Sequence, residues 1–202
     1  MKEINLKIVS NRKLCKVNLK DRLSEVYAKY VKGVCLEGFH IDSLILREKD
    51  LSENEYEKLL LEIIDINKNH SIDLIPHTFW KLCIKHKINR VHLPLKIFQD
   101  LYNEKNAEFL SFFDILGVSV HTVDEAILAE KLGATYLVFG HIFSTDCKKN
   151  LEPKGIENLK YICESVSIPV YAIGGIDETN AYITIKNGAY GVCMMSNIMK
   201  KV

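Results

Sequence analysis

The chain has 202 residues, 48% of them hydrophobic, enough for one sizeable core. Its formal net charge of +1 provides no global field to attract nucleic acid or an anionic membrane. No apolar run approaches the roughly 20 residues of a membrane span, the N-terminal MKEINLKIVSNRK is too polar for a signal peptide, and six cysteines without a CxxC point away from zinc or a disulfide framework and toward a reduced cytoplasmic setting.

In chain order the sequence alternates between short runs of Ile, Val and Leu and longer amphipathic segments. INLKIV (4–9) predicts a first strand, and DRLSEVYAKYVKG (21–33) a helix after it. SLILR (43–47) is the second strand, followed by ENEYEKLLLEIIDINK (53–68), whose Tyr56, Leu59, Leu60 and Ile63 form a one-sided helical stripe. Ser52 with Glu55 has the spacing of a capping box ahead of that helix, as do Thr122 and Glu125 further on. DLIPH (73–77), RVHL (90–93), ILGVSV (115–120), YLVFG (136–140), VYAIGG (170–175) and GVCMMS (191–196) complete eight strands. Gly133 and Gly188 stand where helices end in a left-handed residue. The runs are continuous rather than alternating, as in strands covered on both faces.

Strand–helix alternation predicts a parallel sheet. Eight strands predict a small (β/α)8 TIM barrel in a single domain over residues 1–202; an open doubly wound sheet is the rival. SNIMKKV (196–202) leaves a short or missing final helix. Either the first helical region covers that side or another subunit does, and the latter makes a homodimer the expected assembly.

In such a barrel the active site lies at the C-terminal ends of the strands. Arg47, His77, His92, Ser119, His121, His141, Gly174, Gly175, Met195 and Ser196 all fall there. One histidine is ordinarily a satisfied structural residue; several at one rim are a candidate site. AIGGID (172–177) sets two glycines after strand seven, with Asp177 as a helix cap, and CMMSNI (193–198) sets Ser196 before a helical turn after strand eight. Loops seven and eight commonly hold phosphate, because glycine lets backbone N–H groups approach the oxygens and a helix N-terminus adds partial positive charge. Arg47 offers bidentate geometry to a carboxylate or phosphate, with Lys49 nearby, although pairing with Glu48 or Asp50 is the plainer role. Thr145, Lys148 and Lys149 follow His141 on a loop able to close over an anion. Two lysines beside Cys147 would lower its thiol pKa, but no base is fixed next to it.

GVSVHTVDEA (117–126), YLVFGHIFSTDCKK (136–149), IPVYAIGGID (168–177) and GAYGVCMMSNI (188–198) resemble the TenI-type thiazole tautomerases of the thiamine phosphate synthase superfamily. The likeness is strong over residues 115–198; earlier, LILREKD (44–50) and RVHLP (90–94) share it. The resemblance implies an isomerase of thiamine biosynthesis that aromatises a carboxythiazole phosphate. A proton leaves ring carbon C2 and one arrives at the exocyclic carbon. One imidazole cycling near neutral pH can make both transfers, and by analogy it is His141, with Gly140 giving the substrate room. Arg47, Ser119, His121, Lys148, Gly174, Gly175, Met195 and Ser196 are the expected substrate and phosphate contacts, with no cofactor and no metal.

Two alternatives stay open: the sister thiamine phosphate synthase, and a non-catalytic regulatory barrel that binds a phosphothiazole. Synthases resemble the chain in the phosphate loops. They usually carry Pro at position 141 and Thr at 147, a His-x-Gly-Gln-x-Asp segment after strand four and an Asn-Asp pair after strand three. Here those last two regions read HLPLKIF (92–98) and LIPHTFW (74–80), without the carboxylates that would hold magnesium with a pyrophosphate. His77 also departs from the small amide residue more usual in the family.

Overall fold

The structure is a computed structural model describing residues 3–104, 106–146 and 151–200. Eight parallel strands form one sheet: β1 Ile4–Val9, β2 Phe39–Leu46, β3 Asp73–Pro76, β4 Arg90–Pro94, β5 Ile115–Val120, β6 Tyr136–Gly140, β7 Val170–Ile173 and β8 Gly191–Met194. Their spatial order is β3-β2-β1-β8-β7-β6-β5-β4, the sequence order bent into a ring. The seam between β3 and β4 is held by a parallel bridge from His77 to His92 and by the Thr78 N–H, which donates to the His92 carbonyl at 3.0 Å. The fold is thus the expected TIM-type barrel, nearly closed, and the open doubly wound sheet is ruled out.

β1, β5 and β6 occupy the predicted spans. β2 starts four residues before the predicted Ser43, because Phe39-His40-Ile41 already alternates buried, exposed, buried. β3, β7 and β8 stop early, which leaves His77, Gly174, Gly175 and Met195 on loops at the rim and Ser196 at the start of the final helix.

Strand parity divides the core in two. Leu6, Ile8, Leu44, Leu46, Val118, Val120, Leu137 and Phe139 point outward into the layer beneath the helices. Val9, Ile45, Ile75, Tyr136, Val138, Tyr171 and Cys193 fill the ring. Both faces are covered, so the strands read as unbroken apolar runs. The helices answer with one-sided stripes. In α2 (Glu53–Asn69), Tyr56, Leu60, Ile63 and Asn67 are buried at spacings of four, three and four, and the Ser52–Glu55 capping box is fully formed. α1 (Leu19–Val31) begins two residues before prediction, capped by the Asn18 side chain. α3 (Trp80–Lys85), α4 (Leu95–Asn103), α5 (Ala107–Phe112), α6 (Val123–Lys131), α7 (Gly155–Ser165) and α8 (Ala181–Lys186) follow. At α6 the Thr122 hydroxyl accepts the Glu125 N–H, but the Glu125 carboxylate takes the His121 N–H and the box is only half made.

The final helix, α9 (Ser196–Lys200), is short, as expected. Its uncovered side is closed from within. Arg22 of α1, buried, donates through Nε to the Ile198 carbonyl at 2.9 Å, with Nη2 on the same oxygen. Ile198 and Met199 are buried beneath. Within the chain, the first helical region covers this flank.

Candidate active site

Inward parity, carried one or two residues past the strand ends, places Arg47, His77, Ser119, His121, Gly175 and Met195 around the mouth of the ring. Together with His92, His141, Gly174 and Ser196 they line one cavity of about 780 Å3. Of the predicted contacts, Lys148, like Cys147 and Lys149, lies outside the described residues. Asn11, Lys96 and Gln99 also line the cavity and were not singled out from the sequence. Their signal was topological: Asn11 follows β1, and Lys96 and Gln99 open the helix after β4.

At one end the chain is backbone-rich. Gly174 and Gly175 have φ of +101° and +67°, conformations that favour glycine. Among the described residues, no backbone carbonyl accepts the N–H groups of Gly174, Gly175 or Ser196. Asp177 does not cap a helix directly. Its carboxylate organises a turn by accepting the N–H groups of Thr179 and Asn180, and α8 starts only at Ala181. A neighbouring recess of about 620 Å3 shares Thr145, Gly175, Ile176 and Ser196 with the main cavity and adds Asp146, Asn197 and Lys200.

His141 sits against this end. A Cβ built on Gly174 would lie 2.2 Å from the His141 Cβ, so glycine lets the two backbones touch. The His141 ring is buried, with Nε2 3.2 Å from the Leu151 carbonyl oxygen. A carbonyl only accepts, so Nε2 carries the proton and Nδ1 keeps its lone pair. Nδ1 is buried and has no hydrogen-bond partner among the described residues. Buried polar atoms are normally paired; this one is an unsatisfied acceptor on a residue that lines the cavity. Gly140 plays a different part from the one expected. Its missing side chain does not open space for a ligand, because a Cβ there would lie 2.1 Å from the Ile173 carbonyl oxygen. It lets β6 and β7 close together beneath His141.

The opposite wall carries two stacked histidines, His77 and His92, 5.5 Å apart between ring centres. Burial pushes the His92 imidazolium down to about 3, helped by Lys7, Arg47 and Lys49. Burial likewise holds His77 well below the usual histidine range, with His92, Lys49 and Arg47 adding to it. Both rings are therefore neutral near pH 7. His92 Nε2 is 2.8 Å from the Ser119 hydroxyl and Nδ1 is 3.0 Å from the Tyr136 hydroxyl. His121 is tied by Nδ1 to the Gly140 carbonyl at 3.0 Å. Glu48 and Asp50, the plain partners considered for Arg47, both bind Arg12, at 3.1 and 2.7 Å.

Arg47, Lys49 and Lys96 give the lining a positive balance; its one carboxylate among the described residues is Glu125. Among the described residues, no group of three or more His, Cys, Asp or Glu side chains is placed to hold a metal ion. The cavity therefore suits an anionic organic ligand, and His141, with its buried and unpartnered Nδ1, is among the residues that line it.

The sequence model of the thiamine monophosphate synthase family matches residues 6–198. A thiamine-phosphate synthase of Clostridium acetobutylicum is 33% identical over 201 residues, covering 98% of this chain and 90% of that protein. Its counterpart in Fusobacterium nucleatum is 32% identical over 201 residues, covering 100% and 92%. Among solved structures, a thiamine phosphate pyrophosphorylase from Pyrococcus furiosus superposes with a TM-score of 0.77 at 24% identity, covering 99% of this chain and 89% of that one.

Proposed function

Because the chain belongs to the thiamine monophosphate synthase family, and so to thiamine biosynthesis, we propose that it is a thiazole tautomerase with His141 as its acid–base group. The observation that carries this reading is the buried, unpartnered Nδ1 of His141 beside the glycine-rich end of an anion-suited cavity.

The substrate is a carboxythiazole phosphate whose ring is not yet aromatic. Its phosphate is held by the N–H groups of Gly174, Gly175 and Ser196, and its carboxylate faces Arg47. Nδ1 of His141 takes the proton from ring carbon C2. The electrons of that C–H bond enter the ring, and the exocyclic double bond accepts the proton back from the imidazolium at its outer carbon. Atoms and charge balance, and Leu151 holds Nε2–H throughout, so one nitrogen does both transfers. Aromatisation makes the reaction downhill, leaving only proton transfer to accelerate. Ultraviolet absorbance reports the aromatic product directly. His141→Asn, which keeps polarity but not basicity, slows its appearance by about 10²-fold or more. Wild-type turnover in that variant would remove His141 from the mechanism.

A second reading, thiamine phosphate synthase, is favoured by the names of the relatives. It requires coupling of a pyrimidine pyrophosphate to thiazole phosphate with magnesium. The chain has His77 and Thr78 after β3 and Leu95-Lys96-Ile97 after β4, where carboxylates would be needed, and these residues do not fit a magnesium pyrophosphate. Magnesium-dependent formation of thiamine phosphate by the purified protein would establish the synthase instead.

A further inference from the structure

His92, Gly117 and Tyr136 occupy one rung across three neighbouring strands: His92 is in register with Gly117, and Gly117 with Tyr136. Glycine in the middle of a buried strand marks a close approach. Here the Tyr136 phenol lies across the gap, since a Cβ on Gly117 would fall 2.1 Å from Tyr136 Cζ. The ring thus crosses β5 and delivers its hydroxyl to His92 Nδ1 at 3.0 Å, while His92 Nε2 meets the Ser119 hydroxyl at 2.8 Å.

The direction of this chain follows from counting protons. Tyr136 is buried, and His92 Nδ1 is the partner found for its hydroxyl. If His92 donated from Nδ1, the phenol proton would be buried without an acceptor, at a cost that native structures avoid. The phenol therefore donates to Nδ1. A neutral imidazole has one N–H, and burial keeps His92 neutral. That N–H must sit on Nε2 and donate to Ser119. Accepting that bond leaves the Ser119 hydroxyl its own proton, which has no partner in this chain of bonds, and Ser119 lines the cavity.

We propose that Tyr136 and His92 are positioning residues that leave the Ser119 hydroxyl proton for the cavity, so that the ligand atom at this wall is a hydrogen-bond acceptor, met best by an anionic oxygen. The relay stands on the rung geometry; only the identity of the oxygen, as part of the carboxythiazole phosphate, rests on the tautomerase reading.

The test has two arms. In ligand-free, full-length protein labelled with nitrogen-15, the ring signals of His92, assigned by their loss in His92→Gln, show a bare Nδ1 and a protonated Nε2. The opposite tautomer overturns the relay. The second arm is a double-mutant cycle on affinity for the aromatic carboxythiazole phosphate. Ser119→Ala loses about 10- to 100-fold, the scale of a hydrogen bond to a charged group, and Tyr136→Phe about 3- to 10-fold. In the Ser119→Ala background Tyr136→Phe costs nothing further, within about twofold. Fully additive losses refute action through Ser119. The first arm needs no ligand that binds, and uses His92→Gln only to assign the signals. A wild-type protein that ignores the carboxythiazole phosphate therefore sinks the tautomerase reading, while the spectrum still decides the relay.

Discussion

Replacing Gly174 with alanine tests whether backbone contact positions His141. The new Cβ would lie 2.2 Å from the His141 Cβ and 2.6 Å from its Cα. Neither atom is the end of a flexible side chain, so the backbone must yield. Restoring an ordinary contact of 3.4 Å from 2.2 Å needs a shift of about 1.2 Å. A misplacement of about 1 Å in a reacting group can cost on the order of 10²-fold in rate. The φ of +101° adds about 1–3 kcal/mol of strain, and forced overpacking about 1–3 kcal/mol more. Gly133 supplies the control. Its φ is +99°, but a Cβ there meets nothing within 4 Å. Gly133→Ala therefore carries the strain alone, lowering Tm by a few degrees for each kcal/mol, with turnover unchanged. Gly174→Ala lowers Tm further and cuts aromatisation about 100-fold. Turnover within a few-fold of wild type in Gly174→Ala, or an equal loss in Gly133→Ala, would refute the reasoning.

Two further outcomes concern the ring interior. Lys7→Met removes a buried ammonium that donates to Asp42 and Ser43, each at 3.0 Å, between the rings of Tyr136 and Tyr171. Breaking a buried pair costs about 3–5 kcal/mol; Asp42 is part-exposed and keeps the Tyr171 hydroxyl at 2.7 Å, so urea unfolding should report the lower end. Stability should also fall on mild acidification. An unfolded imidazole takes a proton near pH 6.5 whereas His92 resists to about 3, so between those values the unfolded chain binds more protons. The slope approaches about 1.4 kcal/mol per pH unit for one such ring, His77 acts in the same direction, and His92→Gln should lessen it.

The barrel was legible because its strands are bounded by strong signals. β5 and β6 are continuous apolar runs that end at charged or glycine positions, and prediction met observation there. β2 was cut short because its alternating opening, Phe39-His40-Ile41-Asp42, does not resemble a strand covered on both faces. Within the site, strand parity decides which side a residue faces. Sequence places His77, His92 and His121 at strand ends but not which way each ring faces, because parity depends on where each strand begins; the structure puts all three on the cavity. Gly117 was not singled out: a glycine inside GVSV is consistent with a neighbour crossing the strand, but only the structure supplies that neighbour, Tyr136. Hydrogen-bond direction at His92 and the choice of nitrogen on His141 depend on residues distant in sequence, and only assembled geometry supplies them.

The two rim glycines explain why a core-forming strand ends in Gly-His. Gly140 and Gly174 each remove a side chain from the contact between the ends of β6 and β7, and what fills the space is backbone: the Ile173 carbonyl in one case, His141 itself in the other. Ile142 and Phe143 then continue the ladder, donating to the Ile173 and Gly174 carbonyls at 2.9 and 3.0 Å. Lys154 and Gly155, at the far end of the following loop, donate to the His141 and Ile142 carbonyls at 2.8 and 3.1 Å. The ring nitrogen Nε2 is likewise held by a main-chain oxygen, that of Leu151. His141 is therefore placed almost wholly by peptide groups. Those groups have few accessible positions once the barrel closes, and they do not change when neighbouring side chains do. Such support fixes one nitrogen as the donor and leaves the other as an unpaired acceptor, with no second ionisable group needed to orient the ring.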